Sequence, residues 1–187
     1  MGIENILGSL MSVLDKGVLF SVNRDLCMII RKAEEKDIPA VIELFQQVQR
    51  SHVKAMFDVF RGEDDPSRLA TLGSQILGWI QKPTVLLSVA EEGDSLRGAL
   101  CAYRVDIPDD HPVLKKRSFI KIDTLVVRED SYGMGIGRRL MEEVLQWAAS
   151  QRLRDIEVSS YVFNQRAREF YDHLGFVEER VTMRLSL

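Results

Sequence analysis

Cysteine and histidine are scarce in this chain of 187 residues, and that scarcity narrows its chemistry. Cys27 and Cys101 are too few for a disulfide framework and have no metal-ligand spacing around them, which fits a reducing cytoplasm. The only histidines are His52, His111 and His173, and no metal site is expected. Long apolar runs are missing as well. The longest, around Val85 to Ala90, is broken by Ser88 and falls far short of the roughly 20 residues that span a bilayer. No membrane partner is expected. The opening M-G-I-E-N-I-L-G-S-L carries an acid and no base, unlike a secretory leader, so the expected location is cytoplasmic. Charge of one sign is also lacking. With 25 basic and 28 acidic residues the net charge is −3, which supplies no global cationic field for nucleic acid. Lys115, Lys116 and Arg117 form a scattered basic group with no interleaved aromatics, so a nucleic-acid partner is not expected either.

What is present is the composition of an ordinary folded chain, 45% hydrophobic and 28% charged. Residues 1–27 place Ile3, Ile6, Leu7, Leu10, Met11 and Leu14 on one helical stripe, with Glu4 in the first turn and Gly17 as a stop. The polar face lacks the Lys and Arg of a membrane-surface helix. An amphipathic helix packed on its own domain or on a second subunit is expected, which leaves a homodimer open. A second unit, 28–187, opens with the strand M-I-I-R-K-A.

Asp37 is placed to cap a helix running to about Val53, with Pro39 in its first turn and Ile38, Val41, Ile42, Phe45 and Val48 on its buried face. Leu69, Leu72, Ile76, Leu77 and Ile80 mark another helix, stopped by Pro83. T-V-L-L-S-V-A-E and L-R-G-A-L-C-A-Y-R-V, joined by E-G-D-S, read as an antiparallel hairpin. S-F-I-K-I-D-T-L-V-V is a third long strand. A helix follows with Ile136, Leu140, Val144, Leu145 and Ala148 on its apolar face, then the strand D-I-E-V-S-S-Y-V. Asn164 is placed to cap a short helix that ends at Gly175, before a last strand from Phe176 towards Leu187.

The informative stretch is L-V-V-R-E-D-S-Y-G-M-G-I-G-R-R-L-M, a strand passing through a glycine-rich turn into a helix. Gly133, Gly135 and Gly137 let backbone N–H groups and the positive helix end approach a phosphate, with Arg138 and Arg139 adding charge. The alternative is a tight turn selected for packing. A P-loop is excluded because no Gly-Lys follows the turn, and a Rossmann turn because Leu140 stands where its third glycine would fall.

These residues resemble the GNAT superfamily of acyl-CoA-dependent N-acyltransferases, whose loop motif, Gln or Arg then x-x-G-x-G or Ala, falls on Tyr132 to Gly137. A second block, F-N-Q-R-A-R-E-F-Y-D-H-L-G-F, is similar to the family's N-x-x-A-x-x-F-Y-x-x-x-G-F, and the order of elements agrees from Met28 onwards. The resemblance implies an α/β (α+β) fold with a central mixed, mostly antiparallel sheet of about six to seven strands flanked by helices. It implies acetyl-CoA as cosubstrate, with pantetheine paired to the backbone of Leu125, Val126 and Val127. The pyrophosphate would rest on the turn from Tyr132 through Gly133, Met134, Gly135, Ile136 and Gly137 to Arg138. Asn164, Ala167 and Phe170 would line the arm. One departure is Tyr132, which stands where the family has Gln or Arg.

An attacking amine must lose a proton and the departing thiolate must gain one. Tyr171 lies at the family's general-acid position, and a phenol is protonated at neutral pH; the alternative is a tyrosine merely packed beside Phe170. A backbone N–H at Val126 or Val127 would polarise the acyl carbonyl. Asp123 is the candidate base, against a carboxylate simply paired with a nearby Lys or Arg or a water chain in its place, with His52 a third option. By strict alternation Asp123 shares a face with Leu125 and Val127. Glu63, Asp64 and Asp65 in one loop and Asp106, Asp109 and Asp110 in another are suited to attract a cationic amine of a polyamine, an aminoglycoside or a protein, unless they are solvated loops. H-P-V-L-K-K-R-S-F resembles bacterial members of unassigned substrate. The expected function is a bacterial N-acetyltransferase acting by direct attack, and the alternative is a non-catalytic CoA sensor on the same fold.

Overall fold

A computed structural model describes residues 28–62 and 64–185. The helix expected over residues 1–27, and Glu63, lie outside the described residues. Five strands form one sheet in the order β1 to β5: β1 Met28–Lys32, β2 Val85–Glu92, β3 Ser95–Ile107, β4 Arg117–Val127 and β5 Ile156–Val158. The first four run antiparallel to their neighbours and β5 runs parallel to β4. Four helices complete the unit: α1 Ile38–Ala55, α2 Pro66–Gln81, α3 Ile136–Ser150 and α4 Gln165–His173.

The sheet is covered on both faces, which its composition requires, since β2 and β3 are apolar at successive positions rather than alternate ones. Leu86, Ala90, Leu100, Ala102, Ile120 and Ile122 meet the stripe Ile136, Leu140, Met141, Val144 and Ala148 of α3. Leu87, Val89, Ala99, Cys101 and Val126 meet Val41, Leu44 and Phe45 of α1 and Ile76 of α2 on the opposite face.

Two features depart from the sequence expectation. Asp37 does not cap α1 with its side chain. Its carboxylate is buried and takes a bidentate pair from Arg31, at 2.6 and 2.9 Å, and the Glu34 N–H at 2.8 Å. The Arg31 guanidinium accordingly holds Asp37 below the usual carboxylate range. The second is strand number, five among the described residues rather than six to seven. Residues 176–185 form no strand. Arg168 binds Glu178 and Arg184 binds Asp58, tying this segment to α4 and to the loop after α1 instead of to β5.

Close approach of α3 to the sheet depends on Gly98. A Cβ there would lie 2.8 Å from the Val126 carbonyl oxygen and 3.2 Å from both Ile136 Cγ2 and Leu140 Cδ1. Gly98→Ala is therefore expected to destabilise the fold by about 1–3 kcal/mol, the usual cost of overpacking. Urea unfolding monitored by circular dichroism checks this, and an unchanged midpoint would show that α3 yields freely.

Candidate active site

The site begins with an irregularity in β4. Cys101 lies opposite Thr124 but Ala102 lies opposite Ile122, so Asp123 is an extra residue in the strand. The bulge resets which face each side chain takes. Ile122 and Leu125, an odd number of positions apart, both pack on the α3 side, and so does Val127. Thr124 and Asp123 turn to the other face, where a 3.0 Å hydrogen bond joins the Thr124 hydroxyl to the Asp123 carboxylate. Asp123 therefore does not share a face with Leu125 and Val127, as strict alternation would have it.

Pairing between β4 and β5 stops at Ile122 and Val158, one residue before the bulge. Beyond it the two strands diverge, leaving one edge of β4 without a neighbour. The Arg128 N–H donates to the Arg97 carbonyl at 2.8 Å. Antiparallel alternation from that pair turns Val126 and Thr124 towards β3 and the backbone groups of Leu125 and Val127 towards the gap. Val126, expected to pair with a ligand or polarise a carbonyl, instead presents its backbone to β3. The Val127 carbonyl accepts from Gln47 Nε2 at 2.8 Å, and Gln47 Oε1 takes the Glu129 N–H at 3.3 Å. Gln47, half-buried on α1, was not singled out by any sequence motif.

Past Val127 the chain enters the glycine turn. Gly133 and Gly135 hold φ of 79° and 76°, values that L side chains rarely adopt. Gly135 occupies the N-cap of α3 with no side chain to cap it, and the first helical bond runs from the Arg139 N–H to the Gly135 carbonyl at 3.1 Å. The N–H groups of Ile136, Gly137 and Arg138 precede that bond, as at any helix start, where the positive end of the helix dipole lies. Gly137 has a different reason. A Cβ there would stand 3.3 Å from the Phe170 ring, so its absence lets α4 close against α3. Ile136 is buried and Met134 half-buried against the α3-side core, anchoring the turn from beneath. Arg139 is turned away and donates to the Met28 carbonyl at 3.0 Å.

Tyr132 opens the turn with an exposed ring. The Arg166 guanidinium lies over it, 3.4 Å from the centroid, and Gln47 Nε2 is 3.4 Å from its hydroxyl. Three segments, α1, the turn and α4, thus meet at the residue where the family motif has Gln or Arg. Arg166 comes from the second motif, but its meeting with Tyr132 is a tertiary contact that no spacing reveals.

On α4, Asn164 caps the helix as expected, its Oδ1 accepting the Ala167 N–H at 3.2 Å. Tyr171 is buried between Phe170 and Phe176, with centroid separations of 5.4 and 5.5 Å. Its hydroxyl has no hydrogen-bond partner among the described residues. Burial pushes the phenol up to about 12, so the group is a proton donor across the neutral range.

On the opposite side of the gap lies Asp123. It is exposed and has no ion-pair partner among the described residues; the nearby Lys121 donates instead to Ser159 Oγ at 2.7 Å. The loop acids are mostly occupied. Asp65 caps α2 through the N–H groups of Ser67 and Arg68, Asp64 accepts from Gln46 at 3.4 Å, and Asp106 holds Arg104 and Ser118. His52 sits in a ring cluster with Phe60, Tyr161 and Phe163.

Burial lowers the pKa of His52 and is the cause of the shift. Because the folded pKa lies below the unfolded value of about 6.5, the unfolded chain takes up the proton first as pH falls. Stability is thus expected to drop on acidification below about pH 6.5, ahead of the carboxylates, whose lowered values place their losses further into acid. Thermal melts from pH 8 to 5 check this. His52→Phe should flatten the decline, and an equal decline in that variant would contradict the assignment.

The geometry matches what comparison with known proteins finds. Residues 39–176 match the model of the acetyltransferase (GNAT) family. An uncharacterised N-acetyltransferase of Methanocaldococcus jannaschii is 35% identical over 68 residues, a stretch covering 36% of this chain and only 30% of that protein. The crystal structure of a mutant BH1408 protein from Bacillus halodurans superposes with a TM-score of 0.78 at 32% identity, over 85% of this chain and 99% of that one. A protein from Clostridium acetobutylicum described as a predicted acetyltransferase, solved with acetyl-CoA, shares the fold at a TM-score of 0.62 and 17% identity, over 85% and 96% of the two chains. The five-stranded mixed sheet with its parted β4 and β5, the glycine turn and the matched family model lead to one conclusion: this chain belongs to the GNAT family of acetyltransferases.

Proposed function

We propose that this chain transfers the acetyl group of acetyl-CoA to a primary amine by direct attack, with Tyr171 as general acid. The observation that carries the reading is the juxtaposition of an unpaired strand edge with an uncapped, glycine-lined helix start. The edge at Leu125 and Val127 suits the amides of a pantetheine arm, which would add to β4 as a further strand does. The turn from Gly133 to Arg138 suits the pyrophosphate at the far end of that arm. Gln47 holds the Val127 carbonyl and would release it to the incoming amide. Arg166 brings a guanidinium to the first position of the turn, supplying from α4 the charge that Tyr132 does not. The Asn164 Oδ1 is committed to capping, which leaves its Nδ2 group to face the arm.

In the reaction the amine nitrogen forms a bond to the acyl carbon as the carbon–sulfur bond breaks. A Leu125 or Val127 N–H in the gap would donate to the carbonyl oxygen as charge gathers there. The electron pair leaves on sulfur, and the Tyr171 phenol gives that sulfur its proton. The proton lost by the amine passes to Asp123 or to water, and exchange with solvent restores the phenol. Asp123 suits this role because the bulge turns it to the face opposite Leu125 and Val127 and no cation neutralises it among the described residues. The raised value keeps Tyr171 protonated at neutral pH, the state that a general acid needs.

Tyr171→Phe is expected to lower kcat by about a hundredfold, the low end for loss of a general acid, while leaving the acetyl-CoA Kd within about twofold by calorimetry. An unchanged kcat would remove Tyr171 from the chemistry. Binding of acetyl-CoA by the wild type without turnover of any amine would favour the sensor alternative.

A further inference from the structure

The face of the gap on which Asp123 stands carries a group of side chains that the transfer step does not use. His52 near the end of α1, Phe60 in the next loop, and Tyr161 and Phe163 between β5 and α4 bring their rings together. His52 stacks on Phe60 at 4.8 Å and Tyr161 on Phe163 at 5.4 Å. The two stacks meet edge to face, His52 against Tyr161 at 5.3 Å and Phe60 against Tyr161 at 5.4 Å. Such arrangements hold rings rigidly at low entropic cost. Tyr161 and Phe163 nonetheless keep 43% and 37% of their surface exposed, so the cluster is a platform rather than a closed core.

The platform and Asp123 share one side of the sheet. The Lys121 side chain reaches Ser159, which puts both on the same face. Period-two alternation carries that face from Lys121 to Asp123, and the Tyr161 and Phe163 rings reach it through His52 of α1, the helix that packs on that face. The Asp123 charge also acts on Cys101 and Tyr103, and Cys101 belongs to the core between the sheet, α1 and α2.

Charge on this side is sparse in a specific way. Three described carboxylates of the loop after α1 are held by the fold: Asp58 pairs with Arg184, Asp64 accepts from Gln46 and Asp65 caps the start of α2. Burial keeps the His52 ring neutral near pH 7, so the platform itself does not repel an ammonium group. Asp123 accepts from the Thr124 hydroxyl and has no ion-pair partner among the described residues, so together with exposed rings on the same side of the sheet it offers a site for one positive charge on a flat apolar body.

Resting on the acetyl-transfer reading above, we infer that the acceptor is a monoamine borne on an aromatic or similarly flat apolar body. Its ring would lie on Tyr161 and Phe163 and its ammonium against Asp123. Polyamines and aminoglycosides, whose several charges need several carboxylates, are poor acceptors on this account.

The test measures CoA thiol release by the full-length chain at saturating acetyl-CoA with three probes: 2-phenylethylamine, spermidine and neamine. The expected kcat/KM for 2-phenylethylamine exceeds both others by about tenfold or more, one ring stack and one unpaired charge being each worth a large part of that factor. Tyr161→Ala should raise the KM for 2-phenylethylamine about tenfold with kcat and the acetyl-CoA Kd little changed, and Tyr161→Phe should restore the wild-type KM. Preference for spermidine or neamine, an unmoved KM in Tyr161→Ala, or acetyl-CoA binding with turnover of none of the three would overturn the inference while leaving the CoA site standing. Failure of the wild type to bind acetyl-CoA would instead overturn the reading on which it rests.

Discussion

One extra residue in β4 sets the conditions for everything that follows in this fold. An antiparallel ladder through Arg117–Val127 without interruption would have left Asp123 on one face with Leu125 and Val127. With Asp123 bulged out, β4 bends, its pairing with β5 ends at Ile122, and two functions become separable across the sheet. On one side the backbone edge of Leu125 and Val127 lies open above the glycine turn. On the other, Asp123 stands clear of any cation among the described residues, on the side of the sheet that carries the ring cluster. Bulges are common where a strand must re-aim a side chain, and here the re-aiming and the opening of the gap are the same event.

The helices that flank the gap are held to it by contacts that glycine makes possible. Gly98 admits α3 to within van der Waals distance of the sheet, and Gly137 admits the Phe170 ring of α4. Gly133 and Gly135 serve conformation rather than space, since nothing lies within 4 Å of a Cβ at either and both hold positive φ. The turn therefore draws on two distinct properties of one residue type. Substituting its glycines should not give uniform effects.

Much of this was legible in the sequence, for reasons that can be named. Regular helices with a one-sided apolar stripe, such as Ile136–Ser150, and the turn Gly133-Met134-Gly135-Ile136-Gly137 depend on local spacing, and local spacing is what a sequence displays. Asn164 capped its helix because capping is settled within three residues. Asp37 shows the limit of that logic. It sits where a cap belongs, yet Arg31, reached only once β1 and the following turn are folded, takes both its oxygens. The bulge escaped the sequence because I-K-I-D-T-L-V-V reads as a regular strand, and only pairing with β3 shows which residue is surplus. The ring cluster escaped because Phe60 and Tyr161 are about a hundred positions apart, and Gln47 because an amide in the middle of an amphipathic helix carries no motif. The strand expected after Phe176 had the right alternation, but a strand exists only with a neighbour, and ion pairs to Glu178 and Arg184 hold that segment elsewhere.

On the proposed acetyl transfer, the gap beside the bulge receives the pantetheine arm of acetyl-CoA on the backbone of β4. Residue-resolved amide hydrogen exchange, followed by NMR with and without acetyl-CoA, tests it most directly. New protection is expected at the N–H groups of Leu125 and Val127 and at Gly133 to Arg138, with none added at Val126, whose backbone already faces β3. Protection confined to other segments, or equal gains at Val126 and its two neighbours, would contradict it.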